Sequence, residues 1–439
     1  MKVLWLSPAN TLFNEKGDRA YNGKGWVASL QSAVRTYAPD IELGAAFLSE
    51  DCAPAVVQDG VTYFRIKKKN PKGFSKLLHN WTGGKEEDYS AEVLKIASEF
   101  RPDIIQVFGC ETKLAPAALS VRNIPVTVHI QGILSECIRH FFPPGTAASD
   151  MVTAGTFFNE IILRNGYIHL YEDYRRRSAS EMECLRRMKY AMGRTAWDRA
   201  AVNKYSEAEY FHVDEVLRPI FYRHAASHPL CRSAHAGSFT PGSPVHQGKR
   251  IRIASTLSPV PYKGLDLVLK TASALEGKGF DVRWNVAGIG PGSDMEKIFE
   301  KKTGVTAEEC GVRLLGVMDE ESLVKLLLES DIYVHPSYIE NSPNSVCEAQ
   351  MLGMPVVAAD AGGTSSIVED GRTGILVPPG DAEATAEAIA ALAADRTKAA
   401  ETAEAAASAA ASRHDRKKIV SSLLSVYQRI LQESRPAVL

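Results

Sequence analysis

Nothing in this chain of 439 residues pairs its cysteines. The seven (Cys52, Cys110, Cys137, Cys184, Cys231, Cys310 and Cys347) are scattered, odd in number and without a Cys-x-x-Cys pair. Neither a disulfide framework nor a zinc site is indicated, and reduced thiols in a cytosol are expected. No apolar run reaches the roughly 18 residues needed to cross a bilayer. Met1 to Leu6 is too short for a signal-peptide core and is broken by Ser7-Pro8, so it reads as a first strand. Excess charge is missing too. Lys and Arg number 51 against 52 Asp and Glu, a net −1 that gives no reason to expect a nucleic-acid partner. What remains is 45% apolar and 23% charged, the balance of a soluble globular protein. Its length suggests two domains of roughly 200 residues each.

Strand and helix alternate along both halves, the signature of parallel sheets. Residues 3–6 read as a buried strand and 27–37 as an amphipathic helix. Between them, Asn22-Gly23-Lys24-Gly25 sets glycines and a helix start at the strand's carboxyl end, where open α/β sheets bind ligands. A simple tight turn is the alternative. Residues 62–66, 102–108 and 125–130 read as further strands, and the last delivers His129, equally readable as core or as site. Lys67-Lys68-Lys69 and the aromatic, arginine-rich stretch 134–190 read as solvated basic faces, with an anionic membrane or acceptor contact as the alternative. Residues 191–198 and 212–219 close the first half. Residues 225–249, with Pro241-Gly242-Ser243-Pro244, read as a linker. Residues 250–255 and 281–287 then restart the alternation, and the second leads into Gly288-Ile289-Gly290-Pro291. Asp381 caps an alanine-rich helix over 382–412, and 417–432 carries apolar residues at helical spacing.

The stretch from Tyr338 to Pro355 is the most informative. It follows the strand 331–335. Ser342-Pro343 reads as a helix start, a hydroxyl N-cap followed by a proline whose missing N–H costs nothing in the first turn. Gly353 supplies the stop, and 355–359 resumes as a strand. Two carboxylates frame the unit, Glu340 in the loop and Glu348 in the helix. The N–H groups of Asn344 and Ser345 lie at the helix N-terminus between them, an end that attracts oxygen-rich, anionic ligands. Singly, each acid reads as an exposed surface group.

Taken with Lys263-Gly264, Gly288 and Gly290, and Gly362-Gly363, this spacing resembles the retaining glycosyltransferases of the GT-B fold, family four (glycosyl transferases group 1). The resemblance is strong over 250–380 and weak before that. It implies two Rossmann-like domains with parallel sheets facing across a cleft, residues 1–224 and 250–414. A terminal helix (about 415–439) would cross back to the first. It implies that Glu340 faces the donor sugar, Glu348 holds the ribose hydroxyls and Lys263 is the diphosphate cation. It places His129 near donor sugar and acceptor. Gly23, Gly25, Ser342, Pro343, Asn344 and Ser345 line the donor site, with Pro343 offering no N–H. The family's diphosphate arginine is missing: Thr256-Leu257-Ser258 stand in its place, so either another residue, Arg194 or Lys24, supplies the second charge or leaving-group stabilisation is weaker. Structural ion pairs are the expected role of Arg194 and Arg218, with a place in the cleft as the alternative. No Asp-x-Asp stands at a strand end, so no metal or other cofactor is expected.

The implied partners are a nucleotide-sugar donor and a glycan or glycolipid acceptor. Cell-surface polysaccharide synthesis, in the cytoplasm or at the inner face of the membrane, is the implied setting. Nucleotide-sugar 2-epimerases share the architecture, and the missing arginine also allows a non-catalytic relative.

Overall fold

The computed structural model describes residues 1–13, 25–69, 71–83, 87–235 and 250–434. They form two units. The first comprises Met1–Glu136, Glu172–Val216 and His414–Leu439, the second Cys137–Tyr171 and Leu217–Arg413.

The first unit holds an eight-stranded sheet: β1 (Lys2–Ser7), β2 (Glu42–Ser49), β3 (Val56–Gln58), β4 (Val61–Lys67), β5 (Ile104–Phe108), β6 (Val126–His129), β7 (Tyr190–Gly193) and β8 (Glu209–His212). Their order is β3-β4-β2-β1-β5-β6-β7-β8, and only β3 runs antiparallel. The second unit holds β9 (Ile251–Thr256), β10 (Val282–Ala287), β11 (Val312–Gly316), β12 (Ile332–His335), β13 (Val356–Ala359) and β14 (Ile375–Val377). These run parallel in the order β11-β10-β9-β12-β13-β14. The inner strands are apolar runs buried along their whole length, as strands covered on both faces must be. In each sheet the strand order reverses once, between β1 and β5 and between β9 and β12. The carboxyl ends at such reversals leave room for a ligand.

The doubly repeated plan read from the sequence is present, with several corrections. Strand β2 is one the sequence does not announce. Its Gly44-Ala45-Ala46 core has low strand preference, and Gly44 sits where a Cβ would meet the Phe100 ring at 2.8 Å. The chain enters the second unit at Leu217 rather than near 224, and residues 137–171 cluster with that unit as well. Residues 225–235 are no linker. The N–H groups of Ala226 and His228 donate to the carbonyls of Met351 and Leu352 (2.9 Å each), orphan acceptors at a helix end, and a helix follows over Pro229–His235. Residues 236–249, with the Pro241–Pro244 string, lie outside the described residues. The alanine-rich segment is two helices, Ala382–Ala394 and Arg396–Arg413, because Asp395 turns extended and caps the second through the Lys398 N–H (3.0 Å). Asp381 caps the first as expected.

The terminal helix Arg416–Glu433 belongs to the first unit, where it packs on helix α1 (Gly25–Tyr37). Its Tyr427 is fully buried and accepts a hydrogen bond from the Trp5 indole of β1 (3.0 Å).

Candidate active site

The carboxyl edge of the second sheet collects most of the residues singled out in the sequence. After β9 the chain makes a short 3-10 turn, Pro261–Lys263, and Gly264 at φ +84 starts the next helix. A Cβ there would lie 2.3 Å from the Pro336 carbonyl, so glycine lets the loops after β9 and β12 touch. Their backbones are joined by the Tyr338 N–H to the Tyr262 carbonyl (2.9 Å). Lys263 is thereby delivered to Glu340, and its ammonium hydrogen-bonds Glu340 Oε2. Both side chains are half-buried.

Gly362-Gly363 act on the same residue. The Gly363 N–H donates to the Glu340 carbonyl (2.9 Å), and a Cβ on Gly362 (φ +61) would sit 1.9 Å from that oxygen. The glycine pair holds the Glu340 backbone by close approach. Gly288, where β10 ends, donates its N–H to the Gly316 carbonyl (2.7 Å), and Gly290 approaches Gly316 Cα. These two join the strand ends of β10 and β11.

The helix Asn344–Leu352 starts one residue later than the sequence suggests. Pro343 itself is the N-cap, and its ψ of 96° keeps it outside the helix. The Val346 and Cys347 N–H groups donate to its carbonyl (2.9 and 3.2 Å), so the Ser342 hydroxyl stands too early to cap. Asn344 and Ser345 present the first two N–H groups of the helix from partly exposed positions. Glu348 lies one turn in, buried, with Arg218 clamped on both oxygens: Nε to Oε1 2.7 Å, Nη2 to Oε2 2.8 Å. Burial opposes the Arg218 charge, but Glu348 outweighs it and holds the guanidinium above its ordinary pKa. Arg218 thus takes the ion-pair role, against a residue of the candidate site.

One residue at this edge has no signal in the sequence. His335, the last residue of β12, is buried, with Nε2 4.0 Å from Glu340 Oε2. Neither ring nitrogen has a hydrogen-bond partner among the described residues. Burial drives its pKa down to about 4, Glu340 opposing and Lys263 adding to the fall. The ring is therefore neutral near pH 7. A histidine inside an apolar run reads as core, and only the loop geometry brings it to the acid.

In the first unit, His129 is fully buried at the end of β6, edge-on to Trp26 with ring centroids 5.0 Å apart. Burial, and then Arg194, drives its pKa down to about 3 against the pull of Glu215. Tyr427 donates to Gln106 Oε1, which turns the Gln106 amide nitrogen toward His129 Nδ1 (3.4 Å). Nδ1 accepts, so Nε2 carries the proton; it has no partner in hydrogen-bond geometry among the described residues, although the Val213 backbone lies by the ring and favours its charged form. Arg194 is buried between Trp26 (5.1 Å to the ring centroid), the Gln131 carbonyl (3.1 Å) and Glu215 (3.8 Å). Its role is the ion pair. Gly25 opens α1 at φ +70, whereas Gly23 and Lys24 lie outside the described residues.

Cys110, Glu111 and Glu181 also meet near this edge, with potential ligand atoms within 4.8 Å of one another. The donor set suits a metal poorly. Both Glu181 oxygens already accept from the Leu134 and Ser135 N–H groups (2.8 and 2.9 Å), and burial pushes the Cys110 thiol well above its usual range, away from the thiolate a metal needs.

Residues 248–395 match the family model described as "Glycosyl transferases group 1". Among curated proteins, the chain is similar to the alpha-D-kanosaminyltransferase of Streptomyces kanamyceticus, 29% identical over 169 residues, 38% of this chain and 43% of that protein. It is also similar to the D-inositol 3-phosphate glycosyltransferase of Mycobacterium avium, 32% identical over 174 residues, 39% of this chain and 40% of that protein. The chain thus spans less than half the length of these relatives. Among solved structures, it resembles sucrose-phosphate synthase from Thermosynechococcus elongatus, with a TM-score of 0.69 at 15% identity over 99% of this chain and 100% of that one. It also resembles Anabaena HepE in complex with UDP, with a TM-score of 0.60 at 17% identity over 98% and 100%. The two parallel-sheet units are those of the GT-B fold. The group 1 match over 248–395 agrees with the resemblance drawn from Glu340, Glu348, Lys263 and the glycines.

Proposed function

We propose that this chain, carrying a group 1 glycosyltransferase match over 248–395, transfers a sugar from a nucleoside diphosphate to a glycan or lipid-linked glycan. Transfer proceeds with retention at the anomeric carbon and without a metal. The setting is polysaccharide or glycolipid assembly in the cytoplasm, at the inner face of the membrane. The observation that carries this reading is the Lys263–Glu340 pair at the β9/β12 reversal, beside the N-terminus of the helix Asn344–Leu352. Anabaena HepE, solved with UDP-glucose, supports the donor class.

The chemistry follows from the charges. Departure of the diphosphate develops negative charge on its oxygens, and a pre-placed cation and helix N–H groups lower that barrier. The diphosphate draws on Lys263 and on the Asn344 and Ser345 N–H groups. Glu340, no longer neutralised by Lys263, turns its carboxylate to the sugar hydroxyls and the cationic anomeric carbon. His335 Nε2, 4.0 Å from Glu340 Oε2, is the neutral donor that closes on Glu340 once Lys263 turns to the diphosphate. Glu348, fixed by Arg218, keeps lone pairs for the ribose hydroxyls. His129 serves the acceptor side as an Nε2–H donor. The acceptor hydroxyl attacks from the face the leaving group departs from and passes its proton to the departing diphosphate oxygen, so no glycosidase-type acid/base pair is required.

The test is incubation with UDP-, GDP-, ADP- and CMP-linked sugars in EDTA, with and without glycan acceptors, read by product NMR. Acceptor-dependent transfer with retained configuration is expected. An altered free sugar without acceptor means an epimerase, and nucleotide binding without turnover means a non-catalytic relative.

A further inference from the structure

Helix α2 (Gly73–Thr82) in the first unit exposes an apolar face that nothing in the proposed chemistry uses. Phe74 is 80%, Leu78 54% and Trp81 51% exposed. At i, i+4 and i+7 they share one side of the helix. Leu77 and the buried Asn80 turn the other side to the protein. Large apolar side chains scattered singly over a surface need no explanation, but three aligned on ten residues form a patch.

The stretch of chain that carries the patch has charge of one sign. From Val61 to Gly83 the chain carries Arg65, Lys67, Lys68, Lys69, Lys72 and Lys76 and no Asp or Glu. Lys68 and Lys69 are paired, with Glu50 (3.2 Å) and Glu92 (3.0 Å), and Arg65 with Asp51 (2.8 Å). Lys67, Lys72 and Lys76 make no ion pair among the described residues. The nearby acid Glu87 is held by Lys113 (3.0 Å). At the far end of α2, Gly83 takes the left-handed cap (φ 79°), and Arg176, loosely paired with Asp173 (3.7 Å), has Nη1 3.3 Å from where a Gly83 Cβ would be. Arg175 beside it is exposed. An apolar stripe is thus bounded by cations at both helix ends.

We propose that α2 docks the protein on an anionic lipid bilayer. Phe74, Leu78 and Trp81 enter the boundary between headgroups and acyl chains, and Lys67, Lys72, Lys76 and Arg176 meet the lipid phosphates. Aromatic and leucine side chains on one side with basic residues around them fit that interface, where tryptophan ring and N–H are both accommodated. A single ten-residue helix gives reversible, peripheral attachment, weakened by salt. The inference does not depend on the sugar-transfer reading.

The experiment is cosedimentation of the full chain with vesicles of phosphatidylcholine, alone or mixed with phosphatidylglycerol, at low and high salt. Binding to the mixed vesicles only, reversed by salt, is expected. Phe74→Ser/Leu78→Ser/Trp81→Ser abolishes it. Lys72→Glu/Lys76→Glu lowers it by about tenfold or more. The thermal midpoints of these variants match the parent, because the altered groups are exposed. On binding, the fluorescence difference between the parent and Trp81→Phe shifts to the blue. No cosedimentation of the parent, or equal binding by the serine variant, overturns the proposal. So does a parent dimer that the serine variant dissociates, which makes the face a protein interface.

Discussion

Both sheets gather charged groups at the carboxyl ends of their strands, yet they build these edges in opposite ways. In the second unit, Lys263 and Glu340 keep 17% and 22% of their side chains exposed and are held by backbone contacts from Gly264, Gly362 and Gly363. In the first, Arg194 and Glu215 keep only 3% and 1%, and His129 is closed in by Trp26 and Phe108. A half-open pair can exchange its partner for a ligand at little cost. A sealed pair has already lost its hydration and is held by its neighbours. The second edge is therefore the one suited to changing partners during a reaction, and the first to holding a fixed posture.

Five measurements bear on this contrast. The largest effect is expected from Arg218→Ala, which leaves Glu348 buried and uncompensated and costs about 3–5 kcal/mol in urea unfolding. A loss below about 1 kcal/mol, the range of exposed pairs, would move Glu348 to the open class. Next is Glu340→Gln, which lowers turnover by about 10²–10³ while nucleotide affinity stays within a few-fold. Equal loss of both would make Glu340 a binding group. Gly362→Ala comes third, at roughly 1–3 kcal/mol, since a positive φ and the Glu340 carbonyl both resist a Cβ. Full activity in that variant would remove the glycine pair from the account of how Glu340 is held.

The smallest effect at neutral pH concerns the two histidines. Unfolded, each takes a proton near pH 6.5. Folded, His335 does so only at about 4 and His129 at about 3. The unfolded state binds more protons in between, so stability falls as pH falls below about 6.5. His335→Gln and His129→Gln should each flatten that acid limb in denaturant titrations. Glu111 works the other way. Burial raises it to about 7, so the folded state holds its proton first and gains stability as pH falls from about 7 toward 4.5. Glu111→Gln should therefore steepen the acid limb.

Much of the second edge is legible because its signals are local. A short apolar run, a proline at a helix start and glycines at strand ends mark positions whose backbone geometry the residue itself dictates, and the family resemblance then picks out Glu340, Lys263 and Gly362 among them. The partnership of Arg218 with Glu348 spans 130 positions, and no local pattern encodes it. His335 is hidden inside a strand that reads as core, and β2 behind a Gly-Ala-Ala run that gains its strand character from Phe100. In the first unit, His129 is visible as a strand-end histidine. Its tautomer is not, because it is set through Gln106 by Tyr427, 321 residues further on. The helix cap falls one residue later than expected because proline suits either position and only its ψ decides.

The chain changes unit four times, after Glu136, Tyr171, Val216 and Arg413. A single cut therefore never yields two self-sufficient pieces. A truncation near residue 413 removes Tyr427 from Trp5 and Gln106, and an exchange of second units between relatives at one junction would strand residues 137–171 with the wrong parent. A working chimera has to transplant 137–171 and 217–413 together and keep its own last helix. Inheritance of the second unit is thus a matter of two segments moving as one.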